Sequence, residues 1–438
     1  MTKIERELAR LDAIEVPRLE NEIRERVAAA ADVRVDLPAR TVGSRLLAGA
    51  TALILFAAVA ALAWRVFQPT DGREVGTTLS PVPAADPWVR YAEGWTALPQ
   101  PPELRVGASV AWTGEKLIVW SGIPNGSEEP ALNGFAFDPL EGTWTQMREA
   151  PTGTQMFGDT PRPIWTGAEV LFHPVGLAFN PASNTWRELP PAPHDPGYRQ
   201  TAVVWTGSEM IVFGGGEVDS ETAHEGGAYD PDADRWRQIA DAPIGLNLVS
   251  AAWTGEEVLV FGSLLNDRNV AETETSVGAA YDPALDAWRT LPPSDLSPQA
   301  TSAVFAGGRL IAWDYEVHAQ EYEPATNAWS EPVEMPMEFS ECYPDSVIAD
   351  DVVFAWFCGQ AAILDAERGG WRPVRGGVLE PRIEANDQEY ALFRFASLVG
   401  AGEVFAMVAE GITVDDDGVL CYGCPGAPLS YWVYRPPS

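Results

Sequence analysis

Residues 110–120 read VAWTGEKLIVW, and this stretch decides the fold. An apolar-Trp-Thr-Gly phrase precedes a run rich in β-branched residues, and its glycine supplies the positive φ that a tight hairpin needs. The stretch therefore predicts two antiparallel strands joined by a turn at Gly114. The phrase recurs at intervals of 53, 40 and 48 residues, which indicates a repeat architecture. The tryptophans of the four copies are Trp112, Trp165, Trp205 and Trp253.

A second phrase follows the first and ends on another tryptophan. An aromatic strand end, a proline that presets φ, and Asp or Asn tolerant of turn geometry predict a second hairpin. Two hairpins give four antiparallel strands, which make one blade of a β-propeller. The phrases are FDPLEGTW at 137–144, FNPASNTW at 179–186, YDPDADRW at 229–236, YDPALDAW at 281–288 and YEPATNAW at 322–329, with Trp144, Trp186, Trp236, Trp288 and Trp329.

Weaker copies at residues 304–310, 347–353 and 399–404 raise the count to seven blades, and Trp371 closes the sixth. Rings of six or eight blades are the alternatives. The seventh copy ends at residues 431–438 without its closing strand, whereas EGWTALP at residues 93–99 reads like a closing strand that has no repeat before it. We therefore expect Trp95 to lie on the outermost strand of the last blade, which closes the ring and removes exposed sheet edges.

Over roughly residues 90–438 these phrases resemble the propellers of kelch proteins and of the central domain of galactose oxidases. The wording departs from the kelch pattern in one respect, because a Gly-Gly doublet after the second strand occurs only at residues 214–216. Galactose oxidases hold copper with His and Tyr and join a Tyr to a Cys. No motif allows those ligands to be carried over to this chain, and we predict no cofactor.

An uncharged stretch at residues 46–64 is ~28 Å long as a helix, enough to cross a hydrocarbon core. A cleavable signal peptide is the alternative, but a charged leader of this length favours an uncleaved anchor with a cytoplasmic N-terminus. The sequence thus predicts a cytoplasmic helical segment (1–45), a transmembrane helix (46–67), an extracytoplasmic linker (68–90) and an all-β propeller (91–438). With the anchor, the chain is similar to bacterial membrane-anchored kelch-like propeller proteins.

The acidity of the chain lies on the propeller side. The net charge of the whole chain is −34, and residues 1–45 carry nine basic and nine acidic residues. A strongly negative field repels nucleic acid, so no nucleic-acid partner is expected.

All four cysteines follow the predicted membrane span. Cys342 and Cys358 are placed symmetrically about a hairpin turn near Asp350, so we expect them to lie opposite each other and form a disulfide. Cys421 and Cys424 form a Cys-x-x-Cys pair. A structural disulfide is the prediction for this pair, with a redox pair or half a zinc site as alternatives.

Metal and catalytic motifs are weak. Asp230, Asp232 and Asp234 alternate as in an EF-hand loop, but Arg235 stands where that loop needs glycine, so a hairpin turn is predicted there. Asp415, Asp416 and Asp417 are better candidate calcium ligands, with a solvated turn as the alternative. The four histidines share no metal-binding spacing, and neither a nucleophile motif nor an acid/base pair is evident, so catalytic residues are not predicted.

The leading functional prediction is a membrane-anchored, extracytoplasmic propeller that binds or senses a protein or carbohydrate partner without catalysis. Long loops between second and third strands would form the surface, at residues 121–133, 215–226, 262–278 and 412–428. One alternative is a transmembrane regulator that resembles bacterial anti-sigma factors, with a cytoplasmic regulatory protein bound at residues 1–45. It lacks their zinc-binding His-Cys signature. The other alternative is an extracellular carbohydrate-active enzyme of propeller fold.

Overall fold

The computed structural model of the chain describes most of the predicted propeller. The described residues are 86–124, 127, 129–151, 162–193, 201–214, 224–246, 248–263, 274–298, 301–339, 344–366, 369–385, 388–414, 420–422 and 428–437. The predicted segments 1–45 and 46–67 lie outside these ranges and stay predictions. Within the described ranges, every helix is too short or too polar to cross a bilayer. Residues Pro81–Ser438 form one compact unit.

Seven antiparallel sheets follow one another along the chain, and their strand order makes each a propeller blade. In each blade the four main strands, a to d, lie side by side in that order. Each a strand contacts the a strand of the next sheet, and the a strand of the seventh contacts that of the first. The sheets therefore form a closed ring, and the predicted seven-bladed β-propeller is confirmed.

Blades 1 to 4 contain the clear copies of the repeat. Blade 1 comprises Ser109–Trp112, Leu117–Trp120, Gly134–Asp138 and Thr143–Gln146. Blade 2 comprises Arg162–Trp165, Val170–His173, Leu177–Asn180 and Thr185–Glu188. Blade 3 comprises Ala202–Trp205, Met210–Phe213, Gly226–Asp230 and Arg235–Gln238. Blade 4 comprises Leu248–Trp253, Val258–Ser263, Val277–Asp282 and Ala287–Thr290.

Blades 5 to 7 contain the weaker copies. Blade 5 comprises Thr301–Ala306, Arg309–Asp314, His318–Glu323 and Ala328–Trp329. Blade 6 comprises Asp345–Ala349, Val352–Phe357, Gln360–Asp365 and Trp371–Pro373. Blade 7 comprises Phe393–Ala401, Val404–Val414, Leu429–Arg435 and, from the start of the ring, Gly94–Ala97.

Short strands and a turn outside the four main strands of each blade are also present. Arg105–Val106 pairs with Ile123–Pro124, and Arg382–Ala385 pairs with Gln388–Ala391. Val333–Glu334 adds to strand c of blade 5, and Leu420–Tyr422 adds to strand b of blade 7. A 3₁₀ turn spans Gly377–Leu379.

The first described residues close the ring as predicted. Gly94–Ala97 pairs antiparallel with the last strand, and Trp95 lies opposite Tyr434. Residues 86–91 form a strap that packs over the junction of blades 7 and 1, where Trp88 is completely buried. The Arg435 guanidinium holds the strap through Asp86 Oδ2 at 2.6 Å and the Trp88 carbonyl at 2.8 Å. Five residues assigned to the predicted linker, 86–90, therefore pack on the ring.

The hydrophobic core is divided among the gaps between blades. The b strands are mostly apolar, as expected for strands covered on both faces. Val258–Ser263, for example, is buried along its whole length. Each pair of neighbouring blades shares a cluster of buried side chains, and the cluster between blades 7 and 1 completes the circle. The blades are therefore held together mainly by apolar packing between sheets.

Candidate binding face

The antiparallel blades give the ring two different faces. The turns that join strands a to b and c to d lie on one face, which we call the hairpin face. The segments that join b to c, and d to the next blade, lie on the opposite face, which we call the connection face. The predicted binding loops all belong to the connection face.

Short turns with internal hydrogen bonds form the hairpin face. In the Trp-Thr-Gly turns, the threonine Oγ1 accepts a bond from the amide three residues later, as in Thr206 with Glu209 at 3.0 Å. In the second hairpin an Asp or Asn carboxyl or amide oxygen accepts from two amides, as Asp230 Oδ1 does from Asp232 and Ala233. Such local bonds set these turns. The hairpin predicted over Asp230–Asp234 is thereby confirmed.

A charged network repeats on the hairpin face and links neighbouring blades. The Arg237 guanidinium contacts Glu209 of its own blade at 2.8 Å and the Tyr281 hydroxyl of the next blade at 3.1 Å. That hydroxyl donates to Asp286 Oδ1 at 2.8 Å. Among the described residues the network has two further copies, which are Arg187, Glu169, Tyr229 and Asp234, and Arg289, Glu257, Tyr322 and Asn327.

Two tyrosines of the network have a raised pKa. Burial, together with the bond to an aspartate, raises the pKa of Tyr229 to about 12. Burial raises the pKa of Tyr281 to about 12, although the nearby Arg237 opposes this shift. The hydrogen bond to Glu209 raises the pKa of Arg237. Tyr229 and Tyr281 therefore stay neutral, and Arg237 stays charged, near neutral pH.

The predicted closing tryptophans are structural. Each packs on an aromatic residue across strands c and d, with ring centroids 4.8–5.3 Å apart. Each indole Nε1 donates to a carbonyl in the preceding connection, at 2.7–2.9 Å. These residues are Trp144, Trp186, Trp236, Trp288 and Trp329, and their acceptors are Pro99, Arg148, Pro190, Ala240 and Pro292. The indoles thus join blades as well as closing them.

The other predicted repeat tryptophans lie within the same interfaces. Trp112 stacks against Trp88, with centroids 5.1 Å apart. Trp165, Trp205 and Trp253 pack at the edges of three clusters between blades. Trp371 lies opposite Leu364, and Trp95 packs against Tyr434 with centroids 4.9 Å apart.

On the connection face, a buried arginine organises the first predicted loop. Arg105 has no exposed surface, and its guanidinium donates to the Asn133 carbonyl, Asn133 Oδ1 and Glu103 Oε2 at 2.5–2.7 Å. It also lies over the Phe135 ring at 4.9 Å. Burial lowers the pKa of Arg105, and Glu103 opposes the shift. The guanidinium also donates to the Ser121 carbonyl at 3.4 Å, so both ends of the loop at 121–133 contact this arginine.

A carboxylate joins the loops of blades 7 and 1. Glu410 Oε1 accepts from the Gly107 amide at 2.7 Å, across the seam between the two blades. Burial raises the pKa of Glu410, and this hydrogen bond opposes the shift. Burial also raises the pKa of Tyr431, whose hydroxyl lacks a hydrogen-bond partner among the described residues.

Blade 5 carries a second buried polar anchor on this face. Asp314 is 1% exposed and accepts from the amides of His318 and Ser297 at 2.9 and 2.8 Å. Burial raises the pKa of Asp314, and the two amide bonds oppose it. The fully buried Gln320 amide binds the Asp295 carboxylate at 3.1 Å and the Ser330 carbonyl at 2.9 Å. These bonds hold the connections that flank blade 5.

The predicted cysteine register is wrong by one residue. Ala349 lies opposite Val352 and Ile348 opposite Val353, because a two-residue turn at Asp350 and Asp351 joins the strands. Asp350 adopts a positive φ of 48° in that turn. Cys358 lies beyond the end of its strand and is disulfide-bonded, with Arg394 Nη2 at 3.0 Å from its sulfur. Cys342 lies outside the described residues, so its pairing with Cys358 stays a prediction.

The remaining predicted site residues are only partly described. Cys421 lies on the short strand Leu420–Tyr422, whereas Cys424 and the calcium candidates Asp415, Asp416 and Asp417 fall outside the described residues. Much of the loops at 215–226, 262–278 and 412–428 also falls outside them. In the part of the chain that is described, acidic, His and Cys side chains nowhere gather in a group of three that could hold a metal. The disulfide at Cys421 and Cys424 stays a prediction.

Comparison with known proteins leaves the kelch-like resemblance as an expectation. The chain matches no protein-family model and no curated protein. The ring geometry alone therefore carries the functional argument.

Proposed function

We propose that this propeller is a binding or sensing module whose connection face recognises a protein or carbohydrate partner. One observation carries the proposal: the two faces differ in how their polar groups are used. On the hairpin face, the same hydrogen bonds to polar side chains recur in successive blades. The connection face instead holds loops of different length on single buried anchors such as Arg105 and Asp314. Varied loops on a rigid ring are typical of a recognition surface.

The strap supports this choice of face. Arg90 Nη1 donates to the Leu140 carbonyl in a turn of the hairpin face, and Arg435 binds the strap on the same side. Residues 86–91 therefore pack on the hairpin face rather than on the connection face. We further propose that residues 46–67 anchor the chain in a membrane and that the propeller lies outside the cytoplasm. Signalling through residues 1–45 also stays a prediction, since these residues lie outside the described ranges.

The test compares a soluble ring, residues 81–438, with ring variants in which loops are shortened. Residues 215–223 and 264–273 would each be replaced by a short Gly-Ser linker. Pull-down from an extract and a glycan array would both be used. We expect the intact ring to retain a partner that the shortened rings lose. A matched control keeps all loops at full length and replaces Leu285, an exposed residue of the hairpin face, by Ala. This ring should retain the partner. Equal behaviour of all rings would refute the proposal.

A further inference from the structure

Blades 5 and 6 contain the most one-sided charge in the chain. Residues 310–367 include 13 Asp or Glu and not one Lys or Arg, with His318 as the only other basic side chain. The connection face of this region also exposes aromatic surface. We propose that this patch, which we call the acidic platform, binds a segment of a protein partner that combines Lys or Arg with apolar residues. Its residues are Tyr315, Glu316, Val333, Glu334, Glu338 and Phe339. The inference rests on the proposed function and names the partner's chemistry.

The aromatic part of the acidic platform is unusually exposed. Phe339 has 58% of its surface accessible and Val333 51%, although most large apolar residues of the ring are buried. The Phe339 ring meets the half-buried Tyr315 edge-on, with centroids 5.5 Å apart. An exposed aromatic pair of this kind offers contact area and a negative ring face to a bound cation.

Hydrogen bonds hold the acidic platform in place before any partner arrives. The Glu338 amide donates to Gln360 Oε1 at 2.7 Å, and Gln360 Nε2 donates to the Glu338 carbonyl at 2.8 Å. On the other side, the Met335 amide donates to the Val317 carbonyl at 2.8 Å. The residues that carry the aromatic pair are therefore fixed at both ends. Such preorganisation lowers the entropy lost on binding.

The backbone of the acidic platform also directs its carboxylates outward. Met335 and Met337 are buried, whereas Glu334, Pro336 and Glu338 between and beside them are exposed. Glu316 is exposed in the turn next to Tyr315. The carboxylates of these three glutamates thus reach solvent on the segments that present the rings.

The chemistry of the acidic platform selects its partner. A guanidinium or ammonium group gains from the ring faces and from charge-assisted bonds to carboxylates, and the surrounding negative field speeds its arrival. A neutral glycan gains nothing from this charge, and nucleic acid is repelled by it. A basic segment with interspersed apolar residues therefore fits best.

The test measures fluorescence anisotropy of labelled peptides added to the full chain. One peptide repeats Arg-Pro-Leu-Lys, a second Arg-Gly-Ser-Lys, and a third Glu-Pro-Leu-Asp. We expect the first to bind most tightly and the third not at all. Phe339→Ala should weaken the first peptide about tenfold, as loss of an aromatic anchor does. Glu334→Gln with Glu338→Gln should weaken it several-fold and reduce its salt dependence.

The control variants lie on the hairpin face of blade 4, where Leu285→Ala and Glu256→Gln remove an exposed apolar group and an exposed charge. They should leave peptide binding unchanged. Equal loss in the controls, equal binding of the acidic peptide, or displacement by neutral cellopentaose would overturn the inference. If binding survives the platform variants but is lost in the loop-shortened rings, the inference about the acidic platform is refuted and the proposed function is kept. Binding that survives both sets contradicts the proposed function as well.

Discussion

The hairpin face and the connection face are formed by the two ends of the same strands, but their side chains make different kinds of contact. On the hairpin face, Arg187, Arg237 and Arg289 make the same contacts in three successive blades. On the connection face, Arg105 and Asp314 each occur once and hold loops of their own blade. Repeated contacts stabilise the joints of the ring, whereas unique contacts leave each loop free to differ. The comparison indicates that stability and recognition are separated by face.

Removing the closing strand gives the largest expected effect on this comparison. A chain that begins at residue 98 lacks Gly94–Ala97, so the last blade keeps three strands and exposes an unpaired edge. We expect it to aggregate and to lose a cooperative thermal transition, measured by size-exclusion chromatography and circular dichroism. A chain that begins at residue 81 is the control and should fold. Cooperative unfolding of the shorter chain would show that the ring does not depend on closure.

Loss of the strap's buried tryptophan comes next. Trp88→Ala removes a side chain with no exposed surface from the seam between blades 7 and 1. We expect the free energy of unfolding to fall by about 3–5 kcal/mol, as for buried aromatic residues elsewhere. Chemical denaturation measures this change. Val89→Ala is the matched control, because Val89 is 70% exposed and its loss should change stability by less than ~0.5 kcal/mol.

The repeated network should contribute less, because it is partly solvent-exposed. Arg237→Ala removes contacts to Glu209 and Tyr281, and we expect a loss of about 1 kcal/mol in the free energy of unfolding. Arg235→Ala, at an exposed position of the same strand, is the control and should have no measurable effect. Similar losses in both variants would mean that the network adds nothing beyond ordinary strand propensity.

Alkaline pH sharpens the same comparison. The pKa of Tyr281 is raised to about 12 by burial, so the folded state keeps its proton at a pH where the unfolded state has lost it. The contribution of protonated Tyr281 to the free energy of unfolding is complete below pH ~10 and is lost as pH rises towards 12. Tyr281→Phe should flatten the fall in stability over this window in a pH series of denaturation curves. An unchanged slope would show that Tyr281 does not titrate in this range.

The smallest effect concerns the connection face. Burial raises the pKa of Glu410, so its contribution to stability is largest at acid pH and declines as pH rises through the folded-state pKa. Glu410→Gln keeps an acceptor for the Gly107 amide without the buried charge. We expect it to raise the free energy of unfolding at neutral pH by on the order of 0.5 kcal/mol. A loss of stability instead would show that the charge itself holds the seam.

Much of the fold could be predicted from the sequence, because each hairpin carries its own local chemistry. The Trp-Thr-Gly and aromatic-Asp-Pro phrases specify turns through nearby bonds, and they predicted the blades correctly. Even the pairing of Trp95 with the last strand followed from counting closing strands. The cysteine register failed because one extra turn residue was assumed beside Asp350. A shift of one residue moves every side chain of a strand to the opposite face.

The candidate site was less predictable, for physical reasons. Arg187, Arg237 and Arg289 each follow a closing tryptophan, and this repeated Trp-Arg pair is the sequence signal of the network. Arg105 and Asp314 gave no such signal, since their roles depend on contacts between loops that have no common pattern. The acidic platform could be detected as a run without Lys or Arg, but its exposed ring pair depends on how Gln360 holds the Glu338 backbone.

The closing strand has a further consequence for how the protein is made. The segment around Trp95 leaves the ribosome before the rest of the ring, whereas its partner around Tyr434 is the last strand of the ring to appear. Contacts so distant in sequence form slowly, because the chain must first lose the entropy of a very long loop. Until that strand is made, Gly94–Ala97 has no partner strand and blade 1 lacks its neighbour across the seam. Chaperone assistance during translation should therefore matter more for this protein than its final stability suggests.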